Sequence, residues 1–134
     1  MNDETLPVIL ASGSPRRREL MTILGLPYQT RAADVDERAG PDETPASHVG
    51  RLGRAKALAV AAGVAAGVII AADTTVVLDG AILGKPASPE EARRMLLALR
   101  GRRHSVLTGV ALARRPDGAL FSALVETTVE MRPY

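Results

Sequence analysis

Cysteine is absent from this chain, which excludes disulfide cross-links and thiol nucleophiles and fits a reducing, cytoplasmic setting. Tryptophan is absent as well, and Tyr28, Phe121 and Tyr134 are the whole aromatic complement of 134 residues. A surface that stacks single-stranded bases needs more rings than that. A formal charge of +2 is too small to argue for nucleic acid. No apolar run reaches membrane-spanning length, the longest candidate (57–72) being short and rich in Ala and Gly. The acidic start, Met1-Asn2-Asp3-Glu4, does not resemble a signal peptide. Neither nucleic acid nor a membrane is therefore an expected partner. Lysine is nearly missing: of 17 basic residues, Lys56 and Lys85 are the lysines. A compact ammonium on a flexible stem suits a phosphate, although biased codon usage would also leave two survivors.

What is present reads as one domain with an ordinary hydrophobic fraction, 46%. The apolar run 6–11 predicts a buried strand. Ser14-Pro15 is a cap followed by a first-turn proline, and Leu20, Ile23 and Leu24 follow at helical spacing up to Gly25. Residues 28–33 predict a second strand, 34–45 an acidic loop, and 46–62 a long Ala-rich helix with His48, Arg51 and Arg54 on its polar face. The run 68–72 predicts a buried strand that stops at Asp73-Thr74. Val76–Leu78 and Ala81–Leu83 flank Asp79-Gly80, a hairpin signal. Ser88-Pro89 opens another helix, with Ala92, Met95, Leu96 and Leu99 as its stripe. Residues 105–113 and 119–130 predict two long strands joined through Arg115-Pro116-Asp117-Gly118. Alternating strands and helices closed by a hairpin argue for an α/β fold with a mixed sheet.

Four segments carry groups suited to chemistry. The loop Ser12-Gly13-Ser14 leads into Arg16, Arg17 and Arg18 at a helix N-terminus, where backbone N–H groups and the dipole already favour an anion. This is a polyphosphate cradle or an ordinary capped helix with a basic face, and it matches neither glycine-rich phosphate fingerprint. Asp73, at the end of its apolar run, can hold a cation, accept a proton from water, or simply cap a turn. Gly84-Lys85-Pro86 presents a lysine from a constrained turn. Asp34-Val35-Asp36-Glu37 clusters carboxylates that suit a hydrated Mg²⁺ or a solvated acidic loop. His48 is expected on the helix surface, and His104 is expected to hydrogen-bond locally. No His/Cys set has zinc spacing, and no Ser/His/Asp signature occurs.

Together these segments are more specific than any one of them. Leu-Ala-Ser-Gly-Ser-Pro-Arg-Arg (10–17), Asp-Val-Asp-Glu (34–37), Ala-Lys-Ala (55–57), Ala-Ala-Asp-Thr-Thr-Val (71–76), Leu-Gly-Lys-Pro (83–86) and Gly-Arg-Arg-His-Ser-Val-Leu-Thr-Gly (101–109) occur in order. The chain resembles the Maf family of nucleoside triphosphate pyrophosphatases along essentially its whole length. The resemblance implies an α/β fold with an elongated mixed sheet flanked by helices, of inosine-triphosphatase-like type. It implies hydrolysis of a nucleoside triphosphate to the monophosphate and pyrophosphate, a reaction on an acid anhydride, with a divalent metal (Mg²⁺ or Mn²⁺). Asp73 takes the place of the proton acceptor, with Asp36 and Asp73 near the metal. Ser12, Arg16, Arg17, Lys56, Thr74 and Lys85 take substrate-binding places, Arg16 and Thr74 being tied to substrate choice. Pro-Arg-Arg with Ala-Asp-Thr is similar to the branch acting on dTTP and UTP. The 7-methyl-GTP branch tends to carry Pro-Trp-Arg and Ser-Asp-Gln. The resemblance further implies a homodimer, and a segment of several tens of residues following position 134, with a glutamine that contributes to substrate choice. On that expectation residues 1–134 are the N-terminal two-thirds of a single Maf-like domain, with part of one lobe missing. A non-catalytic nucleotide-binding protein acting in cell division, or a 7-methyl-GTP pyrophosphatase, are the alternatives.

Overall fold

A computed structural model of the chain describes residues 6–133. Among these residues a six-stranded mixed sheet and three helices follow the order β1 (Val8–Leu10), α1 (Pro15–Leu24), β2 (Gln29–Thr30), α2 (Pro45–Ala61), β3 (Gly67–Leu78), β4 (Ala81–Leu83), α3 (Pro89–Leu99), β5 (Arg103–Arg115) and β6 (Leu120–Glu130). The expected α/β architecture is present. No helix among the described residues is long and apolar enough to cross a membrane.

Each helix begins with the same local device. Ser14, Thr44 and Ser88 accept the backbone N–H three residues on, and Pro15, Pro45 and Pro89 follow with φ already set for a helix. Gly25, at φ +74°, ends α1 in the left-handed conformation that a residue with a Cβ adopts reluctantly. The Asp79-Gly80 hairpin has positive φ at both residues, as its primed turn requires.

The sheet runs β2-β1-β3-β5-β6, with β4 added to the outer half of β3. The first three are parallel, so the chain crosses over through α1 and α2, whereas β3, β5 and β6 are antiparallel. One strand departs from expectation. β3 does not stop at Asp73 but pairs with β5 without a break from Gly67 to Val77. Asp is depleted in strands and reads as an end, yet Thr74, Thr75, Val76 and Val77 are β-branched and extend the ladder. The second predicted strand shrinks to two residues.

α2 covers one face of the sheet. Its buried side chains include Val49, Leu52, Ala57, Val60 and Ala61, and the core beneath comprises Ile9, Ala11, Ile69, Ala71, Ala111 and Ala113. The helix sits unusually close. A Cβ on Gly109 would run into the carbonyl oxygen of Val49, and one on Gly53 would lie 2.8 Å from the carbonyl oxygen of Gly109. Glycine at both positions lets helix and strand touch backbone to backbone. The opposite face of the β5–β6 hairpin is less covered, with Phe121 and Val125 more than half exposed.

Candidate active site

Strand lengths create a gap. β1 ends at Leu10, paired with Ile70, and β4 ends at Leu83, paired with Val76. Between them the β3 edge at 71–75 has no strand beside it on that side, among the described residues. The loop leaving β1 (Ala11 to Ser14) enters the gap from one direction. Gly84-Lys85-Pro86 enters it from the other. Asp73 and Thr74 lie in the middle. Register alone therefore gathers three of the four segments.

A further contribution comes from above. α2 presses on Gly109, which is the β5 partner of Asp73. One turn beyond Gly53 the helix presents Lys56, whose Nζ donates to Asp73 Oδ1 at 3.0 Å. The same ammonium is 3.1 Å from Glu37 Oε1. Lys56 and Asp73 side chains are each 13% exposed, so the pair is largely withdrawn from water. The Lys56 ammonium hydrogen-bonded to Glu37, with Lys85 nearby, holds the Glu37 carboxyl below the usual carboxylate range. Asp73 Oδ2 has no hydrogen-bond partner among the described residues.

The loop after β1 is organised by hydroxyls. Ser12 is buried, and its Oγ accepts the Ser14 N–H at 3.1 Å. Arg17 reaches from Ser12 to Thr74, with Nη1 3.5 Å from Ser12 Oγ and Nη2 3.2 Å from Thr74 Oγ1. Thr74 Oγ1 is 2.9 Å from Thr108 Oγ1. Arg16, one residue earlier on the helix, is exposed, and its side chain makes no hydrogen bond among the described residues.

Two adjoining hollows result. One, of about 340 Å³, is lined by Ser12, Gly13, Ser14, Arg17, Lys56 and Lys85, a set of hydroxyls, backbone and cations. The other, of about 470 Å³, is lined by Asp73, Thr75 and His48 and by the apolar Leu52, Val76, Ile82, Leu83 and Pro86. Glu37 and Lys85 line both, so the two hollows meet at that carboxylate and that ammonium. The arrangement suits a ligand with an anionic end and a flat, less polar end.

Ser12, Arg17, Lys56, Asp73, Thr74 and Lys85 thus come together, whereas Arg16 is exposed and lines neither hollow. Asp36 does not join Asp73. Its carboxylate pairs with Arg38, Oδ2 lying 2.8 Å from Nη2, which lowers its pKa to about 2, and it faces a separate hollow beside Glu43 and Arg51. Glu37, the next residue, meets Lys56 beside Asp73 instead. Spacing alone did not choose among the carboxylates of 34–37, because a loop has no period. Two further expectations are corrected. His48 is 7% exposed rather than on the helix surface, its ring held against Glu43 beside the apolar hollow. His104 is buried too, and its Nδ1 has no partner among the described residues, so it does not hydrogen-bond locally there.

Comparison with known proteins shows the family of the chain. The family model described as Maf-like protein matches residues 7–134. The chain belongs to that family. It is 52% identical over 124 residues to the dTTP/UTP pyrophosphatase of Anaeromyxobacter dehalogenans, covering 91% of this chain and 62% of that protein. It is 46% identical over 125 residues to the dTTP/UTP pyrophosphatase of Moorella thermoacetica, covering 93% and 64%. The Maf-like chain thus spans less than two thirds of the length of these relatives. A HAM1 protein from Coxiella burnetii shares the fold, with a TM-score of 0.63 at 19% identity over 97% of this chain and 75% of that one.

Proposed function

We propose that this Maf-like chain carries catalytic residues of a nucleoside triphosphate pyrophosphatase acting on dTTP and UTP. The observation that carries the reading is the Glu37–Lys56–Asp73 cluster, set where a polar hollow meets an apolar one. Relatives named dTTP/UTP pyrophosphatase support the substrate class. The triphosphate lies in the polar hollow, against the N-terminus of α1, Ser12, Arg17, Lys56 and Lys85, and Arg16 approaches from outside it. Asp73 Oδ2 faces a water and takes its proton as the oxygen attacks the α-phosphorus. The α–β anhydride bond breaks, and pyrophosphate leaves with the bond's electron pair. Lys56, Lys85 and Arg17 stabilise the charge that builds on the phosphoryl oxygens. A cytoplasmic setting fits a nucleotide substrate.

The residues present fit a divalent cation of the Mg²⁺ or Mn²⁺ type. Among the described residues no three His, Asp, Glu or Cys side chains cluster tightly enough for an all-protein cage. Mg²⁺ asks for less, one or two carboxylates with water and substrate phosphates completing the shell. Asp73 and Glu37 are those carboxylates, in place of the expected Asp36 and Asp73. Such an ion, when bound, neutralises phosphate charge.

The test is pyrophosphate release from dTTP. Asp73→Asn keeps the shape and the hydrogen bond to Lys56 while losing proton-accepting power, and kcat should fall about 1,000-fold. Equal rates would remove Asp73 from the reaction.

A further inference from the structure

The apolar hollow has one aromatic ring on its wall. His48 stands near the N-terminus of α2, with its side chain 9% exposed. Its Nδ1 lies 3.1 Å from Glu43 Oε1. Glu43 is itself held from three directions. Arg51 donates through Nε to Oε2 at 2.6 Å and through Nη2 to Oε1 at 2.9 Å, and the Gly40 N–H donates to Oε1 at 3.0 Å. Arg51 Nη2 is farther from His48 Nδ1, at 3.5 Å, and belongs to the carboxylate. The two-pronged Arg51 guanidinium holds the Glu43 carboxyl well below the usual carboxylate range.

An ionised carboxylate has no proton to give, so the hydrogen in the Glu43–His48 bond comes from His48 Nδ1. In the tautomer with the hydrogen on Nδ1 the lone pair is on Nε2. That atom has no partner among the described residues, nor is it one of their fully buried unpartnered atoms. Nε2 is thus not sealed from solvent, and His48 is one of the residues that line the hollow. The other walls include Leu52, Val76, Ile82, Leu83 and Pro86, between which a flat ring packs well.

We propose that His48 reads the base: its Nε2 accepts the imide N3–H of a uracil or thymine ring seated between those apolar walls. The proposal rests on the reading of the site as one for pyrimidine triphosphates. Uracil and thymine share the imide edge and differ at C5, remote from N3, so one acceptor serves both. Cytosine presents a lone pair at N3, which would face the lone pair of Nε2. Glu43 and Arg51 are positioning residues that fix the ring's tautomer and orientation.

The experiment compares UTP, N3-methyl-UTP and CTP with the full chain, by equilibrium binding and by pyrophosphate release. UTP and N3-methyl-UTP share the ribose, triphosphate and both carbonyls. N3-methyl-UTP and CTP should bind about 30-fold more weakly than UTP, because a site built around a donor is left with an unpaired acceptor. His48→Met should compress that ratio to about threefold, whereas His48→Gln, which keeps an acceptor, should restore much of it. Equal binding of UTP and N3-methyl-UTP by the unaltered chain overturns the proposal, and that arm needs no variant to fold. An unchanged ratio in folded His48→Met overturns it as well. UTP bound with full discrimination but not hydrolysed upholds His48 and sinks the pyrophosphatase reading. No binding of UTP sinks both.

Discussion

α2 and α3 begin alike and end up differently. Both have a hydroxyl cap and a first-turn proline, and α3 has the more sharply two-faced sequence. Yet α2 buries Val49, Leu52, Gly53, Ala57, Val60 and Ala61, whereas α3 buries Leu99 and leaves Leu96 at 59% and Leu97 at 48% exposure. The difference lies in the partner surface. β5 offers α2 a notch at Gly109, and the small residues of α2 fit it, so the backbones meet. α3 has large leucines and no such notch. Close seating has a functional result. Lys56 reaches Asp73 because the helix that carries it lies a side chain's thickness nearer the sheet than leucine packing would allow.

Filling the notch should break the comparison most severely. Gly109→Ala puts a methyl against the Val49 carbonyl, with backbone on both sides and no flexible atom to give way. Destabilisation above about 3 kcal/mol is expected by chemical denaturation, together with loss of the Lys56–Asp73 pair. A smaller change in stability, or unaltered pyrophosphate release, would show that α2 is seated by its apolar side chains instead.

A matched pair of truncations comes next. Leu52→Ala removes a side chain 1% exposed and should cost about 3 kcal/mol. Leu96→Ala on α3 removes one 59% exposed and should cost under about 0.5 kcal/mol. Similar costs would mean that α3 is held by contacts equal to those of α2.

The smallest effect is pH-dependent. The Glu43 carboxyl has its folded-state pKa lowered from the ordinary 4.5, chiefly by Arg51. A lowered carboxyl pKa contributes stability that is fully present above 4.5 and is lost as pH falls through the folded value. Glu43→Gln should therefore lose stability at neutral pH and have a shallower acid decline than the unaltered chain. Parallel acid curves would show that the Glu43–Arg51–His48 link does not tie down the N-terminus of α2.

Much of the fold was legible along the chain. The cap-proline pairs, Gly25, and Asp79-Gly80 are local signals, and each produced the expected helix start, stop or hairpin. Asp73 misled as a strand end, because its composition points one way while an eleven-residue ladder to β5 runs the other. Within the site, Ser12, Lys56, Asp73 and Lys85 could be found from ordered motifs. Glu37 could not be separated from Asp36, since the choice depends on which carboxylate Lys56 meets and which Arg38 captures. The burial of His48 was hidden too. Helical periodicity gives angles around an axis, but not which neighbour lies at each angle.

The amino-acid sequence by itself determined the order of the elements, their caps and turns, and a set of chemically suited residues carrying the family's motifs. These are local matters of dihedral preference, hydrogen bonding and patterning. Tertiary structure decided which of those residues meet. The parallel register of β1 with β3 and the hairpin to β4 brought two loops to one gap, and a glycine notch lowered α2 until Lys56 touched Asp73. Contacts of that kind depend on pairing and interatomic distance across the sheet, and nothing local in the chain encodes either.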